Sequence, residues 1–135
     1  THINEILLPR EEAECLEAFR VIVEPGRRTH RHVHGDTEQL YHVISGAGAA
    51  HCDYADGRRA TLTMAPGDVL HIPRNTWHEI VCTGGEPLVY LCVDAFPGGK
   101  PADEPTWEAH YRAVQRLQSR MPAAGDVAGD VTAGV

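Results

Sequence analysis

The chain has no closely spaced cysteine pair: Cys15, Cys52, Cys82 and Cys92 stand far apart. That spacing excludes a zinc ribbon and offers no disulfide framework, which leaves the cysteines as small apolar fillers of strands. No stretch approaches the roughly 20 apolar residues of a membrane span. No basic, apolar leader opens the sequence either, so the expectation is a cytoplasmic protein without a membrane partner. Basic residues are also scarce, 12 against 19 acidic ones for a net charge of -7, and this argues against a nucleic-acid surface. At 135 residues the chain suits one domain and is too short for two independent cores.

What is present reads as many short strands punctuated by turns. Residues 16–24 form a first strand ended by Pro25-Gly26, with a short helix over 11–17 as the alternative start. Further strands are predicted over 28–34, 39–45, 50–54, 60–64, 69–72, 78–82 and 88–94, with Asp56-Gly57 as a hairpin signal. This pattern predicts an all-β sandwich or barrel, whose closure removes exposed strand edges. Beyond Phe96 the pattern changes to a linker at Pro97–Pro101. Trp107, Tyr111, Val114, Leu117 and Met121 then recur at helical spacing, so a helix over 107–121 is expected to pack on the barrel or on a partner subunit. The division is a barrel with an N-terminal extension over 1–97, linker and helix over 98–121, and a flexible tail over 122–135.

Chemistry concentrates in Gly26-Arg27-Arg28-Thr29-His30-Arg31-His32-Val33-His34, followed by Gln39 and much later by His78. In an extended strand His32 and His34 point to one side, and a fold that brings His78 opposite them completes a metal site. Arg27, Arg28 and Arg31 form a basic run beside these histidines, which favours a small anionic substrate over a polymer.

The arrangement resembles the cupin family over roughly residues 20–96. Gly26, five residues, His32-x-His34, and Gly46 as the closing glycine fit the family's first motif; Gly67, Pro73 and His78 fit the second. Asn75 stands where the family has an inner glycine, and Cys82 where it has a final asparagine. The carboxylate slot of the first motif departs from the pattern. Six residues before Gly46 stands Gln39, whereas the shorter spacing from His34 selects Glu38. Neighbours on a strand face opposite ways, so only one points inward. Gln39 is preferred because it keeps both spacings; Glu38 requires a bulge before Gly46.

The resemblance implies an all-β, double-stranded β-helix (jelly-roll) barrel with a C-terminal helix, holding one divalent transition ion on His32, His34, Gln39 and His78. Imidazole and amide donors suit Fe, Zn, Ni, Co, Mn or Cu, and leave octahedral positions open for substrate. Strand parity adds three candidate catalytic residues: His30 as acid or base, Arg28 as a carboxylate anchor, and Tyr41 as a hydrogen-bond donor. Trp77 is expected on the side opposite His78, His42 and His71 on outer faces, and no cysteine is marked as an activated thiolate.

Cupins host many reactions, so the ligand set must carry the choice. Replacing carboxylate by amide removes a negative charge and favours Lewis-acid work over higher oxidation states. The expectation is therefore a metal-dependent, non-oxidative isomerase, lyase or cyclase acting on a small carbonyl- or carboxylate-containing substrate through an enolate. The alternatives are a non-haem iron dioxygenase, favoured if Glu38 is the ligand, and a non-catalytic binding or sensor barrel. A homodimer is the expected assembly.

Overall fold

The computed structural model describes residues 2–119. Eight strands and one helix follow in the order β1 (His2–Leu8), β2 (Leu16–Val23), β3 (Glu38–Ser45), β4 (Gly48–Asp53), β5 (Arg59–Met64), β6 (Val69–Ile72), β7 (Trp77–Cys82), β8 (Leu88–Ala95) and α1 (Trp107–Ser119). The helical alternative before β2 amounts to a single 3-10 turn at Arg10–Glu12. The end of the predicted helix at Met121 and the tail lie outside the described residues.

Period-two burial explains why these segments pair as two facing sheets. In β2, Glu17, Phe19, Val21 and Val23 are buried while their neighbours are half-exposed; in β8, Leu88, Tyr90, Cys92 and Asp94 do the same. Apolar residues at this period are driven to one face, and two such faces close over a shared core. One sheet is antiparallel in the order β1-β2-β8-β3-β6, the other in the order β5-β4-β7. Phe19, Tyr41, Met64, Ile72, Ile80, Leu88 and Tyr90 fill the space between them. This is the double-stranded β-helix expected from the sequence. Among the described residues no helix is long and apolar enough to cross a membrane.

The turn before β4 shows why a glycine is required at position 46. Gly46 has φ +84°, and a Cβ there would lie 2.3 Å from the Pro87 carbonyl oxygen. No side chain fits both the left-handed backbone and that approach. Cys52, Cys82 and Cys92 are buried and Cys15 is exposed; all four are free thiols.

The segment predicted as a strand over 28–34 does not form one. It runs beside β7 with only isolated pairings, Arg28 opposite Val81 and His32 opposite His78. After Phe96 the chain crosses the end of the barrel, where Lys100 Nζ donates to the carbonyls of Arg10 and Ala13 at 2.6 and 2.5 Å. Trp107 of α1 then packs on Phe19, with ring centroids 5.1 Å apart.

Candidate metal centre

His32 and His34 come from the irregular segment and His78 from the inner face of β7. Their ligand atoms lie within 4.8 Å of one another. Backbone bonds between His32 and His78, at 3.0 and 2.9 Å, lock the segment to β7 at this level. A further bond, from the Asn75 amide to the His34 carbonyl at 2.7 Å, fastens the β6–β7 turn to the same segment. Ring centroids are 4.3 Å apart for His32 and His78, 4.9 Å for His32 and His34, and 5.4 Å for His34 and His78.

Backbone carbonyls set the tautomers. His78 Nδ1 donates to the Thr76 carbonyl at 2.8 Å, and His32 Nδ1 donates to the His30 carbonyl. A carbonyl only accepts, so the proton sits on Nδ1 and each Nε2 carries a bare lone pair. The Nε2 atoms of His32 and His78 are buried without a hydrogen-bond partner. Burial, reinforced by the neighbouring His78, holds His32 well below the usual imidazole range. Burial, reinforced by His34, brings His78 down to about 3. Both rings are thus neutral at physiological pH. Converging, desolvated imidazole lone pairs are what a transition ion requires, and an outer carbonyl on Nδ1 is the usual support for such a ligand.

The two candidates for the fourth ligand separate cleanly. Gln39 points into the barrel and is 1% exposed. Glu38 turns to the outer face of the same strand, where its Oε1 meets His71 Nε2 at 2.6 Å. Inside, the Gln39 amide is bonded at both ends: Oε1 accepts from the Tyr41 hydroxyl at 2.8 Å, and Nε2 donates to Asp94 Oδ1 at 2.7 Å. Tyr41 is fully buried, its ring centroid 6.5 Å from that of His78 and 4.8 Å from that of Tyr90. Its hydroxyl thus serves the amide of Gln39. Desolvation raises its pKa well above the usual phenol range.

Arg28 is not brought to the histidines. Thr29 pairs with Ile80 and His32 with His78, so the segment contains one residue more than β7 between these points. The extra residue reverses the alternation. Arg28 consequently lies opposite Val81 on the outer side, its Nη1 3.8 Å from Glu79. Arg31 also turns away, bonding Asp53 at 2.6 Å and stacking over the Trp77 ring at 4.8 Å. Trp77 is accordingly on the side opposite His78. Arg28 and Arg31 therefore do not line the metal centre. His30 remains half-buried beside His32.

A buried polar chain behind Gln39 escaped the sequence reading. Asp94 and Glu17 are direct partners across β2 and β8, and both are fully buried. Glu17 is held bidentately by Arg10 at 2.7 and 3.0 Å. Burial and the adjoining Glu17 push the Asp94 carboxyl well above its usual range. The available signal was parity: Glu17 alternates with Phe19 and Val21, and Asp94 with Cys92 and Tyr90, so both acids occupy core positions.

Comparison with known proteins places the fold. A glucose-6-phosphate isomerase of Thermococcus gammatolerans is 33% identical over 64 residues, 47% of this chain and 34% of that protein. Oxalate decarboxylase of Bacillus subtilis is 35% identical over 79 residues, 58% of this chain and 20% of that protein. The chain thus spans about a third or less of the length of these relatives. A solved Klebsiella pneumoniae protein with a double-stranded β-helix domain superposes with a TM-score of 0.59 at 21% identity, over 73% of this chain and 80% of that one, a likeness in fold. The Cupin_2 family of cupin domains matches residues 19–94. By that match, and with three histidines gathered inside a double-stranded β-helix, the chain belongs to the cupin family.

Proposed function

We propose that this chain is a metal-dependent, non-oxidative isomerase, lyase or cyclase acting on a small carbonyl- or carboxylate-containing substrate. The observation that carries the reading is the donor set: three converging histidines, with neutral Gln39 rather than Glu38 on the inner face. In this reading Gln39 is the fourth ligand. His32, His34, His78 and Gln39 would hold a divalent ion, which when bound would supply Lewis-acid stabilisation to negative charge developing on a substrate oxygen. His30, half-buried beside His32, moves the proton to and from substrate carbon or oxygen. Tyr41 holds the Gln39 carbonyl, and Arg28 has no part in the site. Two of the curated relatives are named for an isomerisation and a decarboxylation, which supports chemistry on small molecules. The dioxygenase reading is weakened by the outward turn of Glu38, the residue on which it drew. A second copy of the chain is the proposed protein partner.

The test is metal analysis of anaerobically purified protein, combined with turnover and oxygen-uptake assays on carbonyl acids and sugar phosphates. Bound metal with turnover and no oxygen uptake is expected. His78→Ala then loses the metal, while His30→Ala keeps it and lowers kcat by about 100-fold. Stoichiometric iron with substrate-dependent oxygen uptake overturns the assignment in favour of the dioxygenase. Tight metal with no turnover on any such substrate marks a binding barrel.

A further inference from the structure

The amide of Gln39 has two ends of nearly equal shape and opposite chemistry. Only its oxygen can bind a cation, so a glutamine ligand works only if something dictates which end faces the ion. The surroundings of Nε2 do this. Asp94 Oδ1 takes its proton at 2.7 Å and Cys92 Sγ lies at 3.6 Å. An unprotonated carboxyl oxygen in that place accepts from an N–H and repels an amide oxygen. The carbonyl end is thereby turned to Tyr41, whose ring lies on the His78 side of the core.

Asp94 is fixed in turn. It sits directly across from Glu17, whose two oxygens are both engaged by Arg10, and Arg10 is itself 1% exposed. The guanidinium also donates to the Glu104 carbonyl at 3.0 Å and lies over the Phe96 ring at 5.0 Å. Arg10 cannot shift without disturbing its contacts with Glu17, Glu104 and Phe96. Glu17 is thereby held in place beside Asp94, and Asp94 Oδ1 is bonded to Gln39.

We infer that Asp94, backed by the buried Arg10–Glu17 pair, is a positioning residue that sets the flip state of Gln39 and so presents its oxygen for metal binding. The inference rests on Gln39 being the fourth ligand. It assigns a task to three ionisable residues that have no other part in the site and that are costly to bury.

The probe is Co2+ alone, its affinity measured by chelator competition and its coordination by the visible absorption spectrum. Asp94→Leu removes the acceptor at similar volume and is expected to weaken Co2+ about 10-fold with an altered spectrum. Asp94→Asn is expected to rescue both readouts: Glu17 claims its NH2 group, which leaves its oxygen for Gln39. In a Gln39→Glu background Asp94→Leu is expected to cost no affinity, because a carboxylate has an oxygen at either end. Should Asp94→Leu fail to fold, Asp94→Ala makes the same comparison. An equal loss in the Gln39 and Glu-substituted backgrounds means a merely structural role and overturns the inference. So does an unchanged Asp94→Leu protein when Gln39→Ala binds Co2+ weakly, an outcome that leaves the ligand assignment standing. If Gln39→Ala itself binds Co2+ like the parent, the ligand assignment fails and the inference goes with it.

Discussion

At the scale of single residues, the histidines of this site pay for their readiness in acid stability. An imidazole kept neutral by burial binds a proton less well in the folded than in the unfolded chain, whose value is 6.5. The unfolded state then takes up more protons as the pH falls, so acid favours unfolding. Above about 6.5 the penalty is absent, and it grows as the pH falls toward about 3, the folded value of His78. Each such histidine contributes a slope of up to about 1.4 kcal/mol per pH unit. Urea denaturation of metal-free protein at pH 7.5 and at pH 5 is expected to show this loss, and His78→Gln to flatten it. A bound ion, which competes with the same protons, is expected to protect the loaded protein over the same range. Equal midpoints for the metal-free protein at both pH values would contradict the assigned burial of these rings.

At the scale of elements, what was legible in the sequence followed strand alternation, and what was not followed its interruption. Gln39, Tyr41 and His78 were placed on inner faces by parity and are found there, because β3 and β7 run without a break through those positions. Glu38, by the same rule, faces outward. Arg28 was assigned to the site by counting back from His32, and the extra residue between Thr29 and His32 moved it to the other side. Nothing in the local composition marks that irregularity. The ends of strands moved by one or two residues, and the inward places of the acids Glu17 and Asp94 follow the same alternation as their apolar neighbours. The β6–β7 turn shows the opposite case, a departure from the family pattern that is legible in physical terms. Asn75 takes the glycine position with φ +63°. Asparagine is the residue after glycine that tolerates the left-handed region, because its short side chain bonds locally. Asn75→Gly is therefore expected to be nearly neutral in chemical denaturation, and Asn75→Ala to cost about 1 kcal/mol. The second variant also loosens the amide that fastens His34, so weaker metal retention should accompany its loss of stability.

At the scale of the whole molecule, the outer face of the five-stranded sheet is the feature a lone barrel leaves unexplained. Leu40 and Ile44 of β3 and Val69 of β6 project from it, 41, 48 and 61% exposed, and Ile3 of β1 adds a further 53% at the opposite edge. Between them run Ile22 of β2 and Val89, Leu91 and Val93 of β8, all half-buried. Paired polar side chains occupy limited parts of this surface, Arg20 in an ion pair with Glu5 and His71 hydrogen-bonded to Glu38. The other sheet is different in kind. Its outer side carries Arg31, His51, Asp53, Arg59, Thr61 and Glu79, a polar surface suited to water. An apolar sheet face of this breadth is a penalty for a monomer and a ready interface for a second copy, since a two-fold axis lets one patch serve both partners. Sedimentation velocity is expected to show a dimer. A Leu40→Lys/Val69→Lys double variant should sediment as a monomer, because each buried copy would bring unpaired charges against its partner. The inner face is untouched by these changes, so the monomer should retain Co2+ affinity. A parent protein that sediments as a monomer at high concentration would require another covering for this face.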